Sequence, residues 1–544
     1  MKIIPVAALC VLPFCSQAAE KDKPEYSPYL DDFPNQVFFG DTHVHTSYSA
    51  DAGFVGTTLG PEEAFRFARG EEVTSSTGVR AKLEVPLDFM VITDHAENLG
   101  LAPLAREGDP EILATEFGAR VHELLKADKG AEAFDAWRLS KAKGLDPMAG
   151  ENKAAQSVWE KVTTIAEKYN NPGGFTAMIG YEWTSVPGGR NLHRNIIYRD
   201  GKELAVQALP FSSYDSEDAE DLWKWMEDYE KKTGGKLLAI PHNGNLSNGL
   251  MFDDVTFTKK SPIDADYAKR RMRWEPLYEI VQMKGDGEAH PMLSPDDEFA
   301  DFETWDKGGI NSPNPKTPEM LPREYARPAW KRGLQYEEKL GTNPFKFGVV
   351  GSTDTHTALS TTDESQYFGK ITVLEPSAKE DRLHELVAGR NNPDKRDIEI
   401  EAWQVSSAGL AAVWARENTR EALWDSMKRK EVYATTGTRI RVRVFGGFDF
   451  VDSDQYRPSF AKYGYENGVP MGGDLNAAPE GKAPGFVIHA LKDVRNANLD
   501  RIQIIKGWTD ADGKDHERIY DVAVSDGRKI GEDGRCREPV KSTV

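Results

Sequence analysis

The chain has 544 residues, of which 39% are hydrophobic and 29% are charged, and its formal net charge is −20 at pH 7. This length allows a large core and more than one domain. Because nucleic-acid binding depends largely on neutralising phosphates with Lys and Arg, the acidic balance argues against a dedicated DNA- or RNA-binding protein, and no nucleic-acid partner is expected.

The chain begins MKIIPVAALCVLPFCSQAAE, which has the features of a secretory signal. An apolar stretch over residues 3–15 is too short to span a bilayer, and Ala18 ends a small-residue cleavage site. We therefore expect residues 1–18 to be a signal peptide and the mature protein to be periplasmic or secreted. A lipid-anchored start at Cys15 is the alternative, and Pro13 before it disfavours that reading.

Removal of this segment takes away two of the three cysteines and leaves only Cys536. No intramolecular disulfide is then available, so the exported protein must be held together by its core and by bound metal. No later stretch is long and apolar enough to predict a transmembrane helix.

Short apolar runs recur along the chain, and polar residues follow each of them. In order they are QVFFG, LDFMVIT, GFTAMIGY, KLLAIP, LYEIVQM and FKFGVVGS. Most are continuous rather than alternating, which is typical of strands buried on both faces of a parallel sheet or barrel. Helical patterns lie between several of them: PEEAFRFARG, AQSVWEKVTTIAEKYN and AEDLWKWMEDYEKKTG. Strand–helix alternation predicts an α/β fold.

Two regions interrupt this alternation. Residues from about 100 to 155 have the pattern of an inserted, mostly helical segment, and residues from about 285 to 340 are predicted to be a long loop with short turns. Beyond Tyr433 the sequence becomes alternating, Gly-rich and turn-rich. We predict a main domain over residues 36–430 and a β-rich C-terminal module over residues 431–544.

Six of the 11 histidines border the apolar runs. They are His43 and His45 after QVFFGD, His95 after LDFMVITD, His193 before NIIY, His242 after KLLAIP and His356 after FKFGVVGSTDT. Glu182 and Asp354 occupy similar positions. In an extended segment residues i and i+2 point the same way, so His43 and His45 can face one point, as can Asp354 and His356. The carboxyl ends of parallel barrel strands gather at one face, where such barrels keep their active sites.

Imidazole and carboxylate ligands without a thiolate suit Zn, Mn or Fe. The set is larger than one four-coordinate ion needs, so we predict a multinuclear site in which Glu182 bridges two ions. Clustered cations lower the pKa of bound water and can hold the attacking and leaving oxygens of a phosphoryl transfer. Each histidine alone has a structural alternative, whereas their joint placement favours a metal site. His290 could also line the pocket but is left out of the ligand set.

The motif order HVHTSYSAD, ITDH, YEW, LHRN, IPHN and STDTH resembles the PHP superfamily, named for polymerase and histidinol phosphatase domains, and most closely a secreted branch of it. The resemblance covers about residues 36–440. It implies a distorted (β/α)7 barrel, here with inserted helical and loop segments and the C-terminal β-rich module. It also implies a trinuclear metal centre with nine ligands: His43, His45, Asp51, His95, Glu182, His193, His242, Asp354 and His356.

Two of these ligands rest mainly on the resemblance. From the sequence alone, Asp51 could only cap a helix and His193 could be a packed strand residue. The resemblance suggests three ions, the first held by His43, His45 and Asp354, the second by His193 and His242, and the third by Asp51, His95 and His356. Glu182 would bridge, and a hydroxide shared by two ions would attack the substrate.

Further residues have expected roles beside the ligands. Asp41 and Asp94 could orient neighbouring imidazoles, or could be ordinary turn residues. Arg194 and Arg439 are candidates for binding a substrate phosphate, and Lys284 is a weaker one; a surface ion pair is the alternative for each.

The sequence thus predicts an exported, metal-dependent phosphoesterase acting on a small-molecule ester, with Glu182 and Asp354 at its catalytic centre. The alternatives are hydrolysis of an amide, lactone or carboxylic ester, and a non-catalytic metal- or ligand-binding protein. Oligomeric state is left open. The resemblance further implies β-sequence beyond Val544, so the C-terminal module is expected to be incomplete.

Overall fold

The computed structural model describes residues 32–150, 152–309, 315–380, 382–388, 399–405 and 407–541. The predicted signal segment and Val544 lie outside these ranges. The strands are β1 (Gln36–Val44), β2 (Val73–Thr74), β3 (Arg80–Ala81), β4 (Phe89–Ile92), β5 (Thr176–Trp183), β6 (Arg194–Tyr198), β7 (Leu237–Pro241), β8 (Leu277–Gln282), β9 (Gly285–Asp286), β10 (Gly348–Gly351), β11 (Leu386–Ala388), β12 (Ile400–Glu401), β13 (Leu410–Ala415), β14 (Val432–Thr435), β15 (Arg441–Gly447), β16 (Val469–Pro470), β17 (Gly485–Leu491), β18 (Arg501–Thr509) and β19 (Asp515–Val524).

The α-helices lie between these strands. They are α1 (Ala50–Phe54), α2 (Pro61–Ala68), α3 (Leu101–Glu107), α4 (Pro110–Leu113), α5 (Glu116–Lys126), α6 (Gly130–Ala142), α7 (Asn152–Tyr169), α8 (Lys202–Ala205), α9 (Ala219–Thr233), α10 (Ala265–Trp274), α11 (Ala326–Leu340), α12 (Arg420–Lys428) and α13 (Phe460–Asn467). The three helices predicted between apolar runs are confirmed as α2, α7 and α9. None of the helices in the described ranges combines the length and the apolar character needed to cross a membrane.

A curled seven-stranded sheet organises the main part of the chain, in the order β14-β13-β1-β4-β5-β6-β7. Strands β1, β4 and β5 are parallel, whereas β6 pairs antiparallel with both β5 and β7. At one edge β13 pairs antiparallel with β1 and with β14. The fold is therefore a mixed α/β fold rather than a uniform strand–helix repeat.

A second sheet, in the order β10-β8-β9, continues the curl. Strand β8 lies beside β7 at one edge of the main sheet, and β10 lies beside β14 at the other. One apolar cluster joins residues from nine strands of the two sheets with α12, including Phe38, Met178, Leu277, Val350 and Trp424. Because these strands share one apolar interior, the arrangement is barrel-like.

The inserted segment is helical, as predicted. Helices α3 to α6 pack around their own buried cluster, which includes Phe54, Ile112, Val121 and Trp137. The prediction for residues 285–340 was wrong at its end, because Ala326–Leu340 forms α11. Pro328 is the third residue of this helix, in the first turn, where a backbone N–H has no partner within the helix.

The C-terminal part is rich in β-structure. Strand β14 belongs to the main sheet, so the separate C-terminal strands begin with β15, after residue 440. Strands β15, β16 and β17 form one sheet and β18 pairs with β19, while α13 packs against β15. The β18–β19 hairpin lies on α11, where Lys331 forms an ion pair of 3.3 Å with Asp515.

Candidate metal centre

The predicted ligands lie along one edge of the sheets. His43 is near the end of β1, His95 follows β4, Glu182 is near the end of β5, and His242 follows β7. His193 directly precedes β6, and the antiparallel direction of this strand places its first residues at the same edge as the carboxyl ends of β5 and β7. Asp354 and His356 follow β10. Strand direction therefore gathers side chains that are far apart in sequence.

Glu182 occupies the middle of this group. Its Oε1 lies 2.7 Å from Nδ1 of His193 and 3.1 Å from Nε2 of His242. Its Oε2 lies 3.1 Å from Nε2 of His45 and 3.1 Å from Nδ1 of His95. Oε2 also lies 3.4 Å from Nε2 of His43. The two carboxylate oxygens thus face different sets of imidazoles, an arrangement that fits a carboxylate bridging two ions.

Asp51 joins the group from the first turn of α1. Its Oδ2 lies 3.0 Å from Nε2 of His95 and 2.9 Å from Nε2 of His356. Its Oδ1 accepts a hydrogen bond of 2.8 Å from the Ser49 hydroxyl, which lies 3.1 Å from Nδ1 of His45. Asp51 is therefore a member of the cluster and does not serve only as a residue at a helix start.

Asp354 completes the set. Its Oδ1 lies 3.4 Å from Nε2 of His43 and 3.3 Å from Nε2 of His45, and these two Nε2 atoms are 3.1 Å apart. The backbone of Asp354 has a φ of 56°, a left-handed conformation that is uncommon outside glycine. All nine side chains predicted as ligands thus meet in one buried region.

Several buried atoms of the centre have no hydrogen-bond partner among the described residues. They include Oε2 of Glu182, Nε2 of His193 and Nδ1 of His242. Buried polar atoms are normally paired. Buried imidazole and carboxylate atoms that lie close together without hydrogen-bond partners fit a set of metal ligands.

Four overlapping groups of donor atoms could each hold an ion. They are His45, Asp51, His95 and His356; His43, His45 and Glu182; Glu182, His193 and His242; and His43, His242 and Glu279. Within each group the donor atoms lie within 4.8 Å of one another. One group contains the pair predicted for the second ion, and another adds His45 to the three residues predicted for the third ion. The set predicted for the first ion, with Asp354, is not one of the four groups. Glu182 is shared between two groups, as a bridging ligand requires.

The electrostatics also favour cations. Burial lowers the pKa of His43, but the charges of Asp354 and Glu279 outweigh burial and raise this pKa to about 10. Burial opposes a positive charge on His95 too, yet Asp51 and Glu182 raise its pKa to about 10. Protons on these two imidazoles do what metal ions would do, which is to neutralise the buried carboxylates.

The comparison with protein families gives one match over nearly the whole described length. Residues 32–544 match the family described as protein of unknown function, DUF3604. The chain belongs to this family. A search of curated proteins found no match.

Among solved structures, the DUF3604 chain is similar to a two-domain protein from Bacteroides vulgatus ATCC 8482 that contains a predicted PHP-like metal-dependent phosphoesterase. The two chains are 11% identical, with a TM-score of 0.32, and the match covers 78% of this chain and 82% of the other.

Glu279 is a member of the centre that the sequence analysis missed. It lies within β8, and its carboxylate oxygens are 3.2 and 3.1 Å from Nδ1 of His43. Its side chain is fully buried. One signal was present in the sequence: an acidic residue inside the apolar run LYEIVQM requires a buried partner.

Two ammonium groups contact Asp354 in this DUF3604 protein. Nζ of Lys284 lies 2.6 Å from Oδ2, and Nζ of Lys370 lies 2.8 Å from Oδ1. Lys284 was the weaker of the predicted phosphate-binding residues. Lys370 was not predicted, because nothing in the sequence FGKITV distinguishes it from an ordinary surface lysine.

The two arginines predicted to bind phosphate point elsewhere. Nε of Arg194 lies 3.0 Å from Oε1 of Glu275, and the guanidinium packs over the ring of Trp183. Successive residues of a strand face opposite sides, so Arg194 points away from the side that His193 faces. The geometry therefore does not support phosphate binding by Arg194.

Arg439 lies near the other end of β1. It donates a hydrogen bond of 2.9 Å to the carbonyl of Val85 and its guanidinium lies 6.0 Å from the ring of Phe39. Phe39 precedes His43 by four residues, which corresponds to about 13 Å along an extended strand. Arg439 is therefore remote from the ligands, and phosphate binding by it is not supported either.

Asp41 and Asp94 do not contact the imidazoles through hydrogen bonds in the described structure. Asp41 accepts hydrogen bonds from the backbone N–H groups of His43 and Thr353, and Asp94 accepts them from the N–H and hydroxyl of Thr46. Burial raises the pKa of each aspartate to about 6. They fix the ligand-bearing turns rather than the imidazole rings.

Proposed function

We propose that this protein is an exported, metal-dependent hydrolase that acts on phosphate esters. The observation that carries the proposal is the position of Glu182, whose two oxygens face five imidazoles that come from four different parts of the chain. A histidine with a purely structural role would need only one hydrogen-bond partner. A bridging carboxylate surrounded by imidazoles is the ligand arrangement of a multinuclear hydrolytic centre.

The donor set decides which metals suit the site. Imidazole nitrogens are borderline ligands and carboxylate oxygens are hard ligands, and a mixed set of the two suits Zn, Mn or Fe. The hydrogen bonds of Cys536 go to other residues. We infer three divalent ions, held by the nine side chains and bridged by Glu182. When bound, such ions polarise a phosphoryl oxygen and lower the pKa of a coordinated water.

The residues of the chain itself prepare this chemistry. Nδ1 of His356 lies 3.0 Å from the carbonyl oxygen of Asp354 and 2.9 Å from Nζ of Lys370, so neighbouring residues hold Nδ1 and leave Nε2 to face a metal. Glu279 has the same relation to His43. His43, His45 and His242 have no exposed side-chain surface, so the inner part of the centre excludes bulk water.

The two lysines favour a phosphate ester over a neutral ester or amide. Lys284 and Lys370 place positive charge beside Asp354, within the same buried region. An anionic substrate gains from both charges, whereas a lactone or amide carries no charge to pair with them.

Three further proposals concern the setting of this site. We infer that the two sheets together form a distorted (β/α)7-type barrel, because they share one apolar interior. The motif order supports membership of the PHP superfamily. The apolar start of the chain supports a cleaved signal peptide and export to the periplasm or beyond; the mass of the mature protein from fractionated cells tests this.

The main experiment is a hydrolysis screen of metal-reconstituted protein. Purified protein is stripped with a chelator, reloaded separately with Zn, Mn or Fe, and assayed with aryl phosphate monoesters, aryl phosphodiesters and aryl acyl esters. We expect hydrolysis of phosphate esters, with loss of at least about a hundredfold in His45→Ala and Asp354→Ala. His384→Ala is the matched control, since His384 is exposed and lies outside the centre.

The outcomes separate the alternatives. Hydrolysis of acyl esters alone would support the alternative function, which is hydrolysis of an amide, lactone or carboxylic ester. Tightly bound metal without turnover of any ester would favour a metal- or ligand-binding protein. Full activity in both ligand variants would show that the centre is placed wrongly.

A further inference from the structure

The two lysines beside Asp354 come from different parts of the chain and approach different oxygens of the same carboxylate. Nζ of Lys284 lies 2.6 Å from Oδ2, and Nζ of Lys370 lies 2.8 Å from Oδ1. Gln282 also donates to Oδ2, at 2.6 Å. Oδ1 in turn faces His43 and His45 at 3.4 and 3.3 Å. Asp354 thus lies between two ammonium groups and the metal-facing imidazoles.

A single carboxylate balances one ammonium group. In the metal-free centre Asp51 and Glu182 also attract Lys284, and Asp51 also attracts Lys370, so several carboxylates share the two positive charges. When the ions of the proposed function are held by Asp51, Glu182 and Asp354, these negative charges are already used, and a buried charge without a partner is costly. Two buried lysines at this position therefore indicate that another anion shares the site.

The lysines lie where the centre is open to solvent. The Asp51 side chain is 20% exposed and those of His193 and His356 are each 9% exposed, whereas His43, His45 and His242 are fully buried. The Lys284 side chain, 10% exposed, lies at this open side. Lys370 adjoins it through His356, whose Nδ1 is 2.9 Å from Nζ of Lys370. The Lys370 side chain is only 5% exposed, so a ligand that enters from solvent reaches Lys284 before Lys370.

We propose that Lys284 and Lys370 bind the doubly charged terminal phosphoryl group of a phosphate monoester, an inference that rests on the proposed function. A terminal phosphoryl group offers three free oxygens and a charge of −2 above pH 7. It can therefore contact both lysines and, at the same time, the metal ions of the centre. A phosphodiester offers two free oxygens and a charge of −1. The site therefore selects monoesters over diesters.

The first test uses the wild-type protein alone. Metal-loaded protein is titrated calorimetrically at pH 8 with orthophosphate, which is a dianion, and with dimethyl phosphate, which is a monoanion. We expect orthophosphate to bind at least about tenfold more tightly, since one more charge-assisted contact is available to it. Equal affinities, or tighter binding of dimethyl phosphate, would overturn the proposal.

The second test uses variants. Lys284→Met and Lys370→Met keep the length and apolar stem of lysine but remove its charge, and each should weaken orthophosphate binding about tenfold or more. Lys331→Met is the matched control, because Lys331 is similarly buried but pairs with Asp515 on the β18–β19 hairpin. Metal content is measured for each variant. Unchanged orthophosphate affinity in both metal-loaded variants would refute the assignment; if a variant loses its metal, the wild-type comparison decides.

Kinetics separate this inference from the proposed function. The ratio of kcat/KM for an aryl monoester to that for a bis-aryl diester should favour the monoester in the wild type and fall about tenfold in the lysine variants. Preference for the diester in the wild type would refute the inference alone. Absence of hydrolysis of either ester would refute the proposed function, while the binding comparison would still test the lysines.

Discussion

The two carboxylate oxygens of Glu279 lie 3.2 and 3.1 Å from Nδ1 of His43, while Nε2 of the same ring faces His45 and Asp354. A carboxylate on Nδ1 holds the proton there and leaves the Nε2 lone pair for a metal. It also fixes the rotation of the ring. The relationship explains why a charged residue is buried within an otherwise apolar strand.

Glu279→Gln should weaken metal binding without unfolding the protein. The substitution conserves volume and keeps an oxygen that can accept from Nδ1, but it removes the negative charge that makes His43 a stronger ligand. Changes of this kind cost about 10- to 100-fold in metal affinity. Competition with a chromophoric chelator measures the loss, and Glu466→Gln, at an exposed position, is the control. Wild-type affinity in the Glu279 variant would rule out this role.

Removal of metal should lower the melting temperature. Without cations, the buried carboxylates and the unpaired imidazole nitrogens of the centre have no common partner. A ligand present at a thousandfold excess over its Kd stabilises a folded protein by about 4 kcal/mol. Scanning calorimetry of stripped and reloaded protein measures the difference. Glu182→Ala should abolish most of it, and an identical melting temperature with and without metal would contradict the expectation.

Asp286 should make the stability of the metal-free protein depend on pH. Burial, followed by the charge of Glu288, raises the pKa of Asp286 to about 8. The folded carboxyl then binds its proton more tightly than the unfolded one, so stability decreases as the pH rises from about 4 to 8 and is constant above that. Asp286→Asn removes this loss.

We expect the Asn variant to gain on the order of 1–3 kcal/mol relative to wild type at pH 9 compared with pH 5. The lost acceptor for the N–H of Ala289 lowers the stability of the variant at both pH values and cancels in this difference. Urea unfolding of stripped protein at the two pH values measures it. Asp301→Asn, at an exposed position, is the control. A variant with the same pH dependence as the wild type would show that Asp286 is ionised throughout.

A substitution of Arg439 tests whether this residue takes part in phosphate binding. Arg439→Met should leave metal content and orthophosphate affinity within about twofold of wild type, because its hydrogen bond goes to Val85 and its guanidinium packs on Phe39. Loss of these contacts should cost about 1 kcal/mol of unfolding free energy. Calorimetric titration and urea unfolding measure the two effects. A tenfold loss of phosphate affinity would restore the interpretation made from the sequence.

Much of the centre could be predicted from residue order alone. Apolar runs that end in His, Asp or Glu indicate ligands at strand ends, and the spacing of His43 and His45 indicates that both face one side. These are local properties of an extended backbone. These properties do not depend on which strand becomes the neighbour, so they can be predicted from a single sequence.

The tertiary structure determined the contacts that depend on which strands are neighbours and on the direction in which each strand runs. The antiparallel course of β6 brings His193 to the centre and turns Arg194 toward Glu275. The placement of β8 beside β7 brings Glu279 under His43, and the loop after β10 brings Lys370 to Asp354. These contacts join residues far apart in sequence. Local periodicity specifies which way a side chain points from its own strand, but only the packing of whole strands specifies what it meets.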